Sequence, residues 1–86
     1  IGRVYTDKMI ESFNEGTLDD AIVCGAKFWL TDMRCKVVDE CLQFFGGYGY
    51  MQEYPICKMY LDARIGKIYA GSNEIMKGFV AKAMGL

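Results

Sequence analysis

The sequence predicts an all-α protein: an antiparallel, up-and-down, four-helix-bundle-like domain that is incomplete as it stands. Three observations predict this. Apolar residues recur at helical spacing through most of the 86 residues. No five-residue segment both alternates like a surface strand and carries turn signals at its two ends. Gly16, Gly46-Gly47, Gly66 and the single proline, Pro55, fall where such helices would start or stop.

The first helix is expected over about Ile1 to Asn14, with Ile1, Tyr5, Met9, Ile10 and Phe13 near one face. Glu15-Gly16 ends it, because Gly16 can take the left-handed conformation that terminates helices. Thr17 then reads as an N-cap, with Asp20 reaching back to complete a capping box. The second helix is expected from about Leu18 to Phe45, roughly 40 Å long at the helical rise per residue. Its apolar stripe runs through Leu18, Ala21, Ile22, Gly25, Phe28, Trp29, Met33, Val37, Cys41, Leu42 and Phe45. Gly25 and Ala26 suggest close approach by another helix, and Gly46-Gly47 stops the element. Pro55 suits the first turn of a third helix, where its missing N–H costs nothing. Ile56, Met59, Tyr60 and Ala63 form the side expected to be buried, and Gly66 the stop. The fourth helix starts near Ser72 and shows Ile75, Met76, Phe79, Val80, Ala83 and Met84 on one face, an amphipathic pattern made to pack on other helices.

The composition narrows the function classes. Formal net charge is -1, from 10 basic and 11 acidic residues, and no basic run is present. A nucleic-acid partner has no electrostatic footprint here. The apolar runs are too short to insert across a bilayer. The chain is 52% hydrophobic, rich for a length that buries only about 60–65% of its unfolded surface. Some of that apolar surface is expected to meet a missing segment or another subunit. The chain opens at Ile1 in helical sequence, with no signal or transit peptide in view, which suggests a piece of a larger protein. Cys24, Cys35, Cys41 and Cys57 form no C-x-x-C pair, and there is no histidine, so no metal site is expected. They read as reduced, buried cysteines of a cytosolic or matrix protein.

Two glycine-bearing segments could carry chemistry. In Gln43-Phe44-Phe45-Gly46-Gly47-Tyr48-Gly49-Tyr50, a dinucleotide fingerprint would need a strand before it and a helix after it, and a helix precedes it instead. The plainer reading is a helix C-cap followed by an aromatic loop. Three glycines in four positions exceed what a cap needs, and they suggest main chain kept bare for a flat or phosphorylated ligand. In Ala70-Gly71-Ser72-Asn73-Glu74, Ser72 is a plausible N-cap. The amides that follow would point out of a helix N-terminus, which attracts anions and hydrogen-bond acceptors. The plainer reading is ordinary capping, with Glu74 steadying the first turn.

Taken together, Cys41 to Met51, then Glu53-Tyr54-Pro55-Ile56, then Asp62-Ala63-Arg64, then Ile68 to Ile75 resemble the C-terminal helical domain of the acyl-CoA dehydrogenases, above all the long-chain and isovaleryl-type branch. The resemblance implies that the whole chain, 1–86, is that domain of a larger enzyme. The parent enzyme would oxidise an acyl-CoA to the trans-2-enoyl-CoA with FAD as cofactor. The resemblance implies cofactor contacts from Gln43, Phe44, Phe45, Gly46 and Gly47, the cofactor being held mainly by a neighbouring subunit, and from Ser72, Asn73 and Glu74. It places Ala70 and Gly71 beside the acyl-CoA thioester. It also implies an electron-transferring flavoprotein as partner, a homodimer or homotetramer, and a bacterial cytoplasmic or mitochondrial matrix location.

One departure matters. Many members of the family carry the catalytic glutamate at the position of Ala70, and alanine cannot abstract a proton. In the branch resembled here, the base comes from an earlier helix of the domain, which would precede Ile1. No catalytic residue is therefore expected in this chain, neither Glu53 nor Glu74 matches the base position, and the isolated piece should be inactive. Two alternatives stay open: a non-catalytic helical interaction or oligomerisation module, and a related flavin oxidase or nitroalkane-type enzyme on the same scaffold.

Overall fold

A computed structural model describes all residues, 1–86. The chain is all-α, as predicted, with four helices: α1 (Gly2–Glu15), α2 (Asp20–Phe45), α3 (Pro55–Ile65) and α4 (Asn73–Ala83). A short 3-10 helix, Gly46–Tyr50, follows α2 directly. The helices make two compact units: Ile1–Leu30 with Gly71–Leu86, and Thr31–Ala70. The long α2 runs from the first into the second.

In the first unit, Gly16 closes α1 at φ 73, ψ 20. Its N–H donates to Phe13 O at 3.1 Å, and the Thr17 N–H donates to Ser12 O at 2.8 Å. That pair of bonds is a Schellman motif, which absorbs carbonyls left over at the helix end. It also corrects the expected start of α2. Thr17 is turned back onto α1, its hydroxyl donating to Ser12 O at 3.4 Å, so it cannot cap the next helix. Asp19 does that instead. Its carboxylate accepts from the Ala21 N–H at 2.9 Å, and its carbonyl accepts from the Val23 N–H at 3.1 Å. The helix begins at Asp20 rather than Leu18.

Tyr5 joins α1 to α2. Its hydroxyl donates to Ile22 O at 3.2 Å, and its ring meets Trp29 edge-on at 6.4 Å. Of the two small residues expected to mark a close approach, Ala26 is buried. Gly25 is not forced to be glycine: a β-carbon there would meet only the Tyr5 hydroxyl, at an ordinary 3.6 Å.

In the second unit, Pro55 stands in the first turn of α3 as expected. Ile56 and Ala63 are buried, but Met59 and Tyr60, expected beside them, are exposed. The α3 face that packs is narrower than its apolar residues suggested. The Cys35 thiol donates to Ala63 O at 3.2 Å, and Lys67 pairs with Asp32 at 3.1 Å. Gly66 follows the last residue of α3 as its C-cap, where the helix was expected to stop, and its φ of -58 is ordinary helical backbone. Its smallness serves packing, since a β-carbon would lie 3.2 Å from Ala63 O and 3.6 Å from the Thr31 methyl. The chain turns on through Tyr69, whose N–H donates to Ile65 O at 3.1 Å, and leaves the helical path at Ala70 (φ 55) and Gly71 (φ 87).

All four cysteines are free. None is fully buried and Cys41 is exposed, which corrects the expectation of burial: the helix faces that carry them are not covered within this chain. The same holds for the apolar stripes. Ile1, Ile10, Phe13, Ile75 and Phe79 are each more than half exposed, and the only buried hydrophobic residues are Ala26, Ile56 and Ala63. No helix is long and apolar enough to cross a membrane.

Candidate functional site

The first candidate segment, Gln43 to Gly47, closes α2. Phe44 is 92% exposed, and Gln43, Phe45, Gly46 and Gly47 are exposed with it. Gly46 sits at φ 60, a left-handed conformation that glycine enters without a β-carbon penalty. A β-carbon added to Gly46 or Gly47 would meet nothing within 4 Å, so the main chain lies bare there. The third glycine of the cluster has a different reason. Gly49 is buried, and a β-carbon on it would come 2.8 Å from Leu42 O and 2.9 Å from Leu42 Cγ. The segment is therefore not the open loop expected. It is a 3-10 turn with two bare glycines at its start and one glycine packed under α2. Tyr54 backs it, edge-on to Phe45 at 6.1 Å and 5.4 Å from the Tyr48 ring.

The second candidate segment, Ala70 to Glu74, leads into α4. Ala70 is the one non-glycine residue at positive φ, a conformation that costs about 1–2 kcal/mol for an L-residue with a β-carbon. Gly71 follows at φ 87, where a β-carbon would also run into the Met76 Cε. Ser72 caps α4 as expected: its Oγ accepts from the Ile75 N–H at 3.4 Å and its carbonyl from the Met76 N–H at 3.0 Å. Glu74 is exposed in the first turn, where its charge complements the positive end of the helix dipole.

Asn73 behaves differently from its neighbours. It is only 2% exposed. Its Oδ1 accepts from Lys27 Nζ at 2.8 Å, and its Nδ2 donates to Phe28 O at 3.2 Å. The Asn73 amide thus works inward, tying the start of α4 to α2. Lys27 Nζ also donates to Gly71 O at 2.7 Å, and Lys77 Nζ stands 5.4 Å over the Phe28 ring. Lys27 is the residue that sequence reasoning did not nominate. Its only signal was a charge between Ala26 and Phe28 in an apolar stripe.

Gln43 to Gly47 belongs to the Thr31–Ala70 unit, and Gly71 to Glu74 to the other. The first is exposed main chain, the second is exposed at Gly71 and Glu74 with Asn73 buried between them, and neither is a constellation of reactive side chains. Glu53 and Glu74 are solvent-exposed carboxylates, and no group of three metal-ligating side chains gathers anywhere.

Such a chain is a helical domain with a bare stretch of main chain at Gly46 and Gly47 and a capped helix start at Ser72. The family profile described as "Acyl-CoA dehydrogenase, C-terminal domain" matches residues 1–85. The mitochondrial long-chain specific acyl-CoA dehydrogenase of Rattus norvegicus is 42% identical over 82 residues, 95% of this chain and 19% of that protein. Cyclohexane-1-carbonyl-CoA dehydrogenase of Syntrophus aciditrophicus is 32% identical over 81 residues, 94% of this chain and 21% of that protein. A crystal structure of acyl-CoA dehydrogenase from Geobacillus kaustophilus matches with a TM-score of 0.95 and 42% identity, covering 99% of this chain and 22% of that one. The chain belongs to the acyl-CoA dehydrogenase family. It spans about a fifth of the length of the relatives it matches.

Proposed function

We propose that this chain is the C-terminal portion of a longer flavoenzyme that oxidises an acyl-CoA to its trans-2-enoyl-CoA. The observation that carries the reading is the bare strip at Gly46 and Gly47, where nothing lies within 4 Å of an added β-carbon, in a chain of this family.

The residues present fit FAD. Gln43, Phe44, Phe45, Gly46 and Gly47 offer exposed main chain and a flat aromatic edge suited to the adenosine diphosphate part. Ser72 and Glu74 frame the N-terminal end of α4, whose first amides lack intrahelical partners and favour electron-rich oxygens. Asn73, nearly buried with its side chain held by Lys27 and Phe28, supports this end from beneath. When bound, FAD supplies the acceptor for the substrate's β-hydride. Ala70 and Gly71 form a small-residue edge beside the thioester. Ala70 has no ionisable group, so removal of the α-proton falls to a carboxylate outside these 86 residues.

The open apolar faces are the contact surfaces of this domain with the rest of the enzyme and with other subunits, in a homodimer or homotetramer. An electron-transferring flavoprotein takes the electrons onward, in the mitochondrial matrix or a bacterial cytoplasm. A helical interaction module is favoured by one observation, the small number of buried apolar residues, and the same experiment separates the two. The full-length protein is purified and titrated with acyl-CoA under anaerobic conditions. Bleaching of a bound flavin with formation of enoyl-CoA is the expected result. A protein with no flavin and no acyl-CoA response leaves only the interaction module.

A further inference from the structure

Lys27 is a cation placed where a cation is least favoured. Its Nζ donates to Asn73 Oδ1 at 2.8 Å, at the N-terminal end of α4, whose dipole is positive there. A neutral donor would suffer no such repulsion. The second bond, to Gly71 O at 2.7 Å, suggests what the charge does. In a trans peptide the N–H points opposite to the C=O. Anchoring the Gly71 carbonyl on Lys27 therefore turns the Ser72 N–H away from α2. The charge-assisted bond to that carbonyl also polarises the peptide and strengthens its N–H as a donor. Ser72 is the N-cap of α4, so this N–H belongs to the set with no intrahelical acceptor. Gly71 at φ 87 has no conformational preference of its own to hold the plane in place, and the anchoring has to come from outside.

We propose that Lys27 is a positioning residue for cofactor binding: by fixing and polarising the Gly71–Ser72 peptide, it presents the Ser72 N–H to an electron-rich acceptor of the bound flavin dinucleotide. The proposal rests on the reading of Ser72 to Glu74 as part of the FAD surface. Lys27 itself touches neither cofactor nor substrate.

The test uses the full-length protein stripped of flavin, with Lys27→Met, Lys27→Gln and Lys27→Arg. The dissociation constant for added FAD is read from flavin fluorescence, beside the melting temperature of each apoprotein. Lys27→Met is expected to weaken FAD binding by about 5- to 10-fold, the effect of one well-placed hydrogen bond. The apoprotein melting temperature is expected to fall as well, because the buried Asn73 Oδ1 loses its donor, and Lys27→Arg should recover most of the affinity. Lys27→Gln keeps a donor without the charge and should fall between; it serves in place of the methionine variant should that one not fold. An unchanged FAD affinity in Lys27→Met or Lys27→Gln overturns the proposal. So does a loss of apoprotein stability with affinity intact. Gly47→Val in the same assay separates the two levels. If Gly47→Val weakens FAD binding and the Lys27 variants do not, the role of Lys27 is wrong and the site stands. If neither does, the reading of the site fails with it.

Discussion

Gly49 lies against Leu42 so closely that a β-carbon would come 2.8 Å from the Leu42 carbonyl oxygen. That contact holds the 3-10 turn under the last turns of α2 and leaves Gly46 and Gly47 bare. Gly49→Ala must push the turn away from α2, and overpacking of this kind costs about 1–3 kcal/mol. The expected outcome is a lower midpoint in chemical denaturation. A midpoint equal to that of the parent protein would show that the turn accommodates the methyl group freely.

Gly47 makes the opposite case. With open space around its α-carbon, Gly47→Val should leave circular dichroism in the helical range unchanged. It should nonetheless weaken retention of FAD in the full-length enzyme by roughly tenfold, about 1.4 kcal/mol, because the added side chain stands on the surface proposed for the dinucleotide. Undiminished flavin absorbance after gel filtration would remove Gly47 from the cofactor surface.

Asn73 is held on both ends of its amide, by Lys27 and by Phe28 O. Asn73→Ala leaves a charged donor and a carbonyl without this partner in a nearly buried place. The expected loss is about 1–3 kcal/mol of stability, seen as a fall in melting temperature. Stability within a few tenths of a kcal/mol of the parent would mean that water replaces the amide at no cost.

Ala70 carries the one strained non-glycine backbone, at φ 55. Ala70→Gly should stabilise the chain by about 0.5–1 kcal/mol, the relief of a left-handed β-carbon net of glycine's greater freedom when unfolded. Ala70→Glu, in the full-length enzyme, places a second carboxylate where the thioester is proposed to lie and should shorten the accepted acyl chain while lowering the rate. An unchanged chain-length profile would show that Ala70 does not line the acyl pocket.

Short-range chemistry was legible from the residues alone. Gly16 ends α1, Pro55 opens α3 and Ser72 caps α4 because each acts on groups only a few positions away, through bonds that any chain with those residues can make. The all-α class followed from periodicity for the same reason. The misread features all depend on distant partners or on competition. Thr17 has a capping side chain, but the Schellman turn of α1 takes it first. Gly49 looked like part of a bare ligand loop. It is small because Leu42 crowds it.

The candidate site divides along the same line. Two bare glycines and a capped helix start are local properties, and their residue types announce them. The inward turn of Asn73 and the anchoring of Gly71 depend on Lys27, which meets Asn73 across 46 positions of chain. No periodicity or spacing encodes such a pairing. It exists only once folding brings α2 and the start of α4 together, because a hydrogen bond acts over about 3 Å and is indifferent to how far apart its donor and acceptor lie along the backbone.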